Sequence, residues 1–212
     1  MMALNRIRDT LQKQLAQRQL VNLYRLSNRE CMRDEKLGME VGSSRENDQK
    51  AVLKYHMPDL VYKISNDLPQ DFELDGEPVS QKHITAKLGK GNVKAKWTSD
   101  KTKASEYIAK MTTGDPAMFT HLLLTYIDIA SKLITIVGID REKFRTSVIE
   151  LKEESFKHSE HTNTRGVEYS VKLMKKLIEE AAFKVEIKDV DLSGGIDPIE
   201  RRIQLLEAWD SE

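Results

Sequence analysis

The chain has 212 residues, with 34 basic and 34 acidic side chains, 39% hydrophobic and 32% charged positions. That length suits one large domain or two small ones and is enough for a self-sufficient core. The single cysteine, Cys31, excludes an intrachain disulfide framework and fits a reducing compartment, so the expected location is cytoplasmic.

The first segment, Met1 to Asp9, lacks the apolar core of a signal peptide. Leu4, Ile7, Leu11 and Leu15 recur at helical steps among Gln and Arg, which predicts an amphipathic helix within residues 1–33. Its narrow apolar seam is expected to meet a partner, a second copy or another protein, or else the chain's own core. Residues 34–212 are expected to form one mostly helical domain. Gly38, Gly42, Ser43 and Ser44 mark a loop. Helical spacing returns at Val52, Leu53, Met57, Leu60, Val61 and Ile64, interrupted by Pro58.

From 69 to 103 the texture changes. Residues 83–88 and 93–97 alternate in a two-residue period around Gly89-Lys90-Gly91-Asn92, which predicts a β-hairpin at about 82–98. Asp115-Pro116 then reads as a helix start and Gly138 as a helix end. The nearly unbroken apolar run between them predicts a central buried helix at about 116–137. Its length would also span a bilayer, but it holds His121, Asp128 and Lys132. Each charge at bilayer depth costs ~3 kcal/mol, so no membrane segment is expected. Asp140 caps a predicted helix to about Lys157, Val167 to Ala181 reads as another, residues 183–190 alternate as a short strand, and Asp197-Pro198 starts a last helix with Ile199, Ile203, Leu206 and Trp209 inward. The expected class is mostly α (α+β).

The neutral total hides blocks. Residues 1–33 carry seven basic against two acidic groups, residues 34–81 five against eleven, and residues 82–103 seven lysines against Asp100 alone. The lysine segment, Lys82, Lys87, Lys90, Lys94, Lys96, Lys101 and Lys103 with Trp97 among them, is the strongest functional feature. Such patches attract phosphate backbones by releasing counterions, a basic ribbon lies along a groove, and an exposed Trp stacks on bases. Lysines give point charge without planar bidentate reading, so contact with DNA or RNA would be largely independent of sequence. The opposing expectation is a solvated sheet edge whose lysines fold against the acidic 71–77 stretch.

Other chemistries leave weaker traces. His158 and His161 with Glu154 lack a third metal ligand at usual spacing. His83-Ile84-Thr85 resembles half of the paired histidine–threonine signature of the 2H phosphoesterases, without a second copy. Glu150, Glu153 and Glu154 resemble one helical carboxylate pair of the MazG-type nucleotide pyrophosphohydrolases. Glu186 and Asp189 have the spacing of the second pair but fall in a predicted strand. No P-loop, nucleophile elbow or dinucleotide fingerprint is present, and no cofactor or metal is expected. The expected function is non-enzymatic, largely sequence-independent nucleic-acid binding, or a place in a nucleoprotein assembly. The alternatives are a self-associating structural or adaptor protein, then a metal-dependent nucleotide phosphohydrolase.

Overall fold

A computed structural model describes residues 2–33, 39–62, 70–157 and 166–193, together with Asp197, Ile199, Glu200 and Ile203. Helices α1 (Met2–Leu11), α2 (Gln14–Arg33) and α3 (Met39–His56) precede the strands β1 (Val61–Tyr62), β2 (Phe72–Leu74), β3 (Glu77–Ile84) and β4 (Val93–Lys96). Helix α4 (Lys101–Thr112) leads to β5 (His121–Asp128) and β6 (Leu133–Ile139). Then come α5 (Arg141–Leu151), β7 (Val167–Tyr169), α6 (Val171–Glu179) and β8 (Phe183–Ile187). Six strands form one mixed sheet in the order β1-β2-β3-β5-β6-β8, with β3 and β5 parallel and the other pairs antiparallel. Strands β4 and β7 form a separate antiparallel ribbon.

The class is therefore α+β, and the mostly helical expectation is overturned. The segment read as a central helix is one single-turn 3-10 helix, Pro116–Met118, followed by the two strands at the middle of the sheet. Asp115 does cap it, accepting from the Ala117 N–H at 3.0 Å, but the turn stops there. In β5 and β6 both faces are buried. Leu123, Ile127, Ile134 and Ile136 join the core beneath α1–α3, and Leu122, Leu124, Tyr126, Val137 and Ile139 join the core beneath α4–α6. A strand covered on both sides has no polar alternation, so it reads as a continuous apolar run. Gly138, expected as a helix end, lies mid-strand opposite Leu123 and Phe183. The turn between the strands is made by Asp128, whose carboxylate accepts from the Ser131 N–H at 3.2 Å, and by Lys132 in the left-handed region.

The hairpin expected at 82–98 does not form either. Its first arm begins as the end of β3, where Lys82, His83 and Ile84 pair with β5, while its second arm, β4, pairs with β7. Val167 to Tyr169 accordingly belongs to a strand, ahead of a shorter helix. The stretch read as a loop around Gly42–Ser44 is part of α3. A strand does occupy Phe183–Ile187, with the alternating burial its sequence suggests.

The N-terminal seam is used inside the molecule. Leu4, Ile7 and Leu11 are buried in the core beneath α1–α3, which also holds Ile134, Ile136 and Val185. Leu15 is left half exposed. Ile199 and Ile203 are each about half exposed rather than inward. Leu206, Trp209, His158 and His161 lie outside the described residues.

Candidate functional site: an opened strand edge beside a lysine-flanked groove

β2 and β3 pair regularly from Leu74↔Glu77 to Phe72↔Val79. The next ladder bond is the Asp71 N–H to the Val79 carbonyl, at 2.9 Å. Beyond it, among the described residues, side chains take the place of the partner strand. The Asp71 carboxylate accepts from the Gln81 N–H at 2.7 Å and from the Ser80 hydroxyl at 3.1 Å, both at Oδ2. Two residues further, the His83 N–H donates to the carboxylate of Glu46 on α3. N–H groups two residues apart on a strand share one edge and are separated by ~7 Å. Asp71 and Glu46 thus stand one after the other along the edge that β2 has vacated.

Strand alternation puts Ser80 and Lys82 on one face and Gln81 and His83 on the other. Ser80 and Lys82 line a groove of ≈ 320 Å³ with Asp71, Lys96, Trp97 and Tyr107. The Lys82 ammonium lies 3.8 Å from Asp71 Oδ2. Asp71 Oδ1 accepts no hydrogen bond among the described residues.

Behind the strand, α3 is fixed by a buried polar layer. Tyr24 Oη lies 2.6 Å from His83 Nε2 and donates to Gln49 Oε1 at 3.0 Å, and the Thr125 hydroxyl donates to the same oxygen at 2.8 Å. Arg45 donates to Asn28 and to the Thr85 hydroxyl. Burial sets the ionisation here. It raises the Glu46 carboxyl from 4.5 to about 7, with Lys82 pulling the other way and Asp71 adding to the rise. It raises Asp48 to about 6 against the Ser27 hydrogen bond. It also holds His83 well below its ordinary value.

The groove's far wall is the β4–β7 ribbon. Trp97 follows β4 and is 47% exposed, with the Lys94 ammonium 4.3 Å from its ring centre. Gly166 at φ +124 lets β7 start against β4, since a Cβ there would lie 2.1 Å from the Lys96 carbonyl oxygen.

The lysine segment is divided by this arrangement. Lys82 enters the groove and Lys96 stands on its rim. Lys94 pairs with Glu168 at 3.3 Å. Lys101 and Lys103 are exposed in the first turn of α4, capped by Asp100. Lys87 and Lys90 are exposed after β3. Within the acidic 71–77 stretch, Asp71 lies beside Lys82. Asp75 pairs with Arg6, and Glu77 lies 3.2 Å from His121.

The carboxylates that resembled a pyrophosphohydrolase pair do not converge. Glu150 pairs with Lys176 and Glu154 with Lys172, both at the surface, while Glu186 pairs with Lys184 on β8. Among the described residues no group of three or more His, Cys, Asp or Glu is placed to hold a metal ion. Magnesium, however, usually takes only one or two carboxylates and fills its other positions with water and phosphate oxygens. Asp71 Oδ1, which accepts nothing among the described residues, fits that lesser requirement.

Glu46, Asp71 and Ser80 were not singled out from sequence. One signal was present: an Asp ahead of one strand, and Ser80 and Lys82 sharing a face of the next.

The fold and the site define an α+β protein with two carboxylates and a lysine gathered along a central strand, past its last described pair with β2. The chain belongs to the ThaI restriction endonuclease family, whose model matches residues 6–206. No curated protein and no solved structure matches it. Among the described residues no helix is long and apolar enough to cross a membrane.

Proposed function

We propose that the protein is an endonuclease that binds DNA across the groove and hydrolyses a phosphodiester at the Asp71–Glu46–Lys82 edge. The observation that carries this is the pair of carboxylates held by the Gln81 and His83 N–H groups of β3, with Lys82 between them in sequence and on the groove face. Family membership favours an enzyme over the non-enzymatic binder expected from the lysines alone.

The roles follow from charge and position. Lys96, Lys101 and Lys103 meet phosphates on either side of the scissile one, which orients the duplex without reading bases. Two lysines in the first turn of α4 oppose the helix dipole, a local cost that phosphate contact offsets. Trp97 gives the rim a flat apolar surface for a sugar or base. At the edge, water attacks phosphorus and the P–O bond to the sugar opposite it breaks, the leaving sugar oxygen taking a proton from solvent. The Lys82 ammonium stabilises the negative charge that builds on the phosphoryl oxygens. Glu46, with its carboxyl at about 7, takes the proton from the water near neutral pH. Asp71 orients that water through Oδ1. A divalent cation held at Asp71 would supply further charge neutralisation and a more acidic water.

The test is nicking of supercoiled plasmid in magnesium buffer by the parent and by Lys82→Ala. The parent should nick. The variant should lose about 10²–10³-fold in rate, the usual cost of one charge-stabilising donor. A parent that retains DNA but never cleaves it, in any divalent cation, ends the enzymatic reading.

A further inference from the structure

Gln81 sits in the middle of β3 with no exposed surface, and its two ends serve different segments. Its backbone N–H holds the Asp71 carboxylate, at 2.7 Å. Its side-chain Nε2 donates to the backbone carbonyl of Glu46, at 2.5 Å. A carbonyl inside α3 already has its helical partner, so this bond is additional to the helix. The side chain is on the face away from Ser80 and Lys82, so nothing bound in the groove touches it.

The amide is also an uneconomical choice for packing. Gln81 Oε1 is buried without a hydrogen-bond partner. Leu or Met would fill the same space and orphan no acceptor, so burial alone does not call for glutamine. What it supplies that they cannot is the donor to Glu46. Other bonds, Arg45 to Thr85 and Thr125 to Gln49, dock α3 on the sheet as a whole. Among the described residues, Gln81 is the side chain that holds the backbone of the residue carrying the carboxylate.

We propose that Gln81 is a positioning residue, which ties the Asp71 turn and the Glu46 turn of α3 to one strand position and so sets the two carboxylates at a fixed separation beside Lys82. The inference rests on the endonuclease reading for its catalytic meaning, but its geometry is testable without catalysis.

The experiment compares the full chain with Gln81→Met by thermal melting, amide hydrogen exchange and plasmid-nicking kinetics. The Glu46 carbonyl keeps its helical bond, so the variant should fold, with α3 docked. The His83 N–H, whose partner is the Glu46 carboxylate, should exchange at least ~10-fold faster as that residue loosens, while the Thr125 and Ile136 amides keep their protection. The kcat should fall ~10–100-fold with KM for DNA unchanged, as misplacement of a reacting group does. Unchanged His83 exchange overturns the proposal, whatever happens to kcat, because Gln81 then does not hold Glu46. Uniformly faster exchange with a lower Tm also overturns it, leaving Gln81 as packing. If His83 responds as expected while the parent cleaves no DNA, the clamp stands and only the endonuclease reading falls.

Discussion

Replacing Glu46 with Gln should make the protein more stable and less active, and the stability gain should depend on pH. Burial lifts the Glu46 carboxyl from 4.5 to about 7, only partly offset by Lys82, Lys50 and the His83 N–H. Between those two values the folded protein keeps a proton that the unfolded chain has lost. The native state therefore binds more protons there, and stability falls as pH rises from about 4.5 to about 7. Each pH unit of difference is worth about 1.36 kcal/mol, so the complete loss above pH 7 is ~3 kcal/mol. Asp48, raised from 3.8 to about 6, acts in the same direction but is present in both proteins and cancels from the comparison. Gln keeps an oxygen that can accept from His83 and carries no charge to desolvate. Urea unfolding should give nearly equal stabilities at about pH 4. At about pH 8, Glu46→Gln should be ahead by up to ~3 kcal/mol, while plasmid nicking is lost. An equal stability difference at both pH values would refute the reasoning, since Glu46 would then not be held protonated by burial.

Two further outcomes follow from the groove and the sheet. Lys96, Lys101 and Lys103 make no ion pair among the described residues, so changing all three to Glu should leave the fold intact. It should flatten the salt dependence of duplex binding by roughly three in slope, at ~0.9 per lost phosphate contact. Gly138→Ala should lower Tm markedly, because the new Cβ would lie 2.1 Å from Phe183 Cε1 and that ring is nearly buried. The cost of such overpacking is ~1–3 kcal/mol, and an unchanged melting curve would mean the ring swings aside freely.

Several local features were legible in the amino-acid order alone. The first helix follows from Leu4, Ile7 and Leu11, the Asp140 cap from the helix it starts, and the strand at 183–187 from its alternation, because each depends on neighbours within a few residues. The lysine segment was equally visible, since charge needs no fold to be counted. The partners of these elements were not legible. The run from 121 to 139 carries no period that separates a buried helix from two strands buried on both faces. What decided it was the tertiary structure, which closes a turn at Asp128–Lys132 and covers both faces with helices. The same holds for the arms around Gly89, each of which alternates correctly yet pairs with a distant strand. The site lay beyond sequence reading for a related reason. Glu46 and Asp71 are 25 positions apart and carry no joint motif. They become neighbours because, among the described residues, the β2–β3 pairing starts at Phe72↔Val79, and the Gln81 and His83 N–H groups of β3 beyond it must be satisfied by other groups. Tertiary packing brought the carboxylates to those N–H groups, and with them the Lys82 groove.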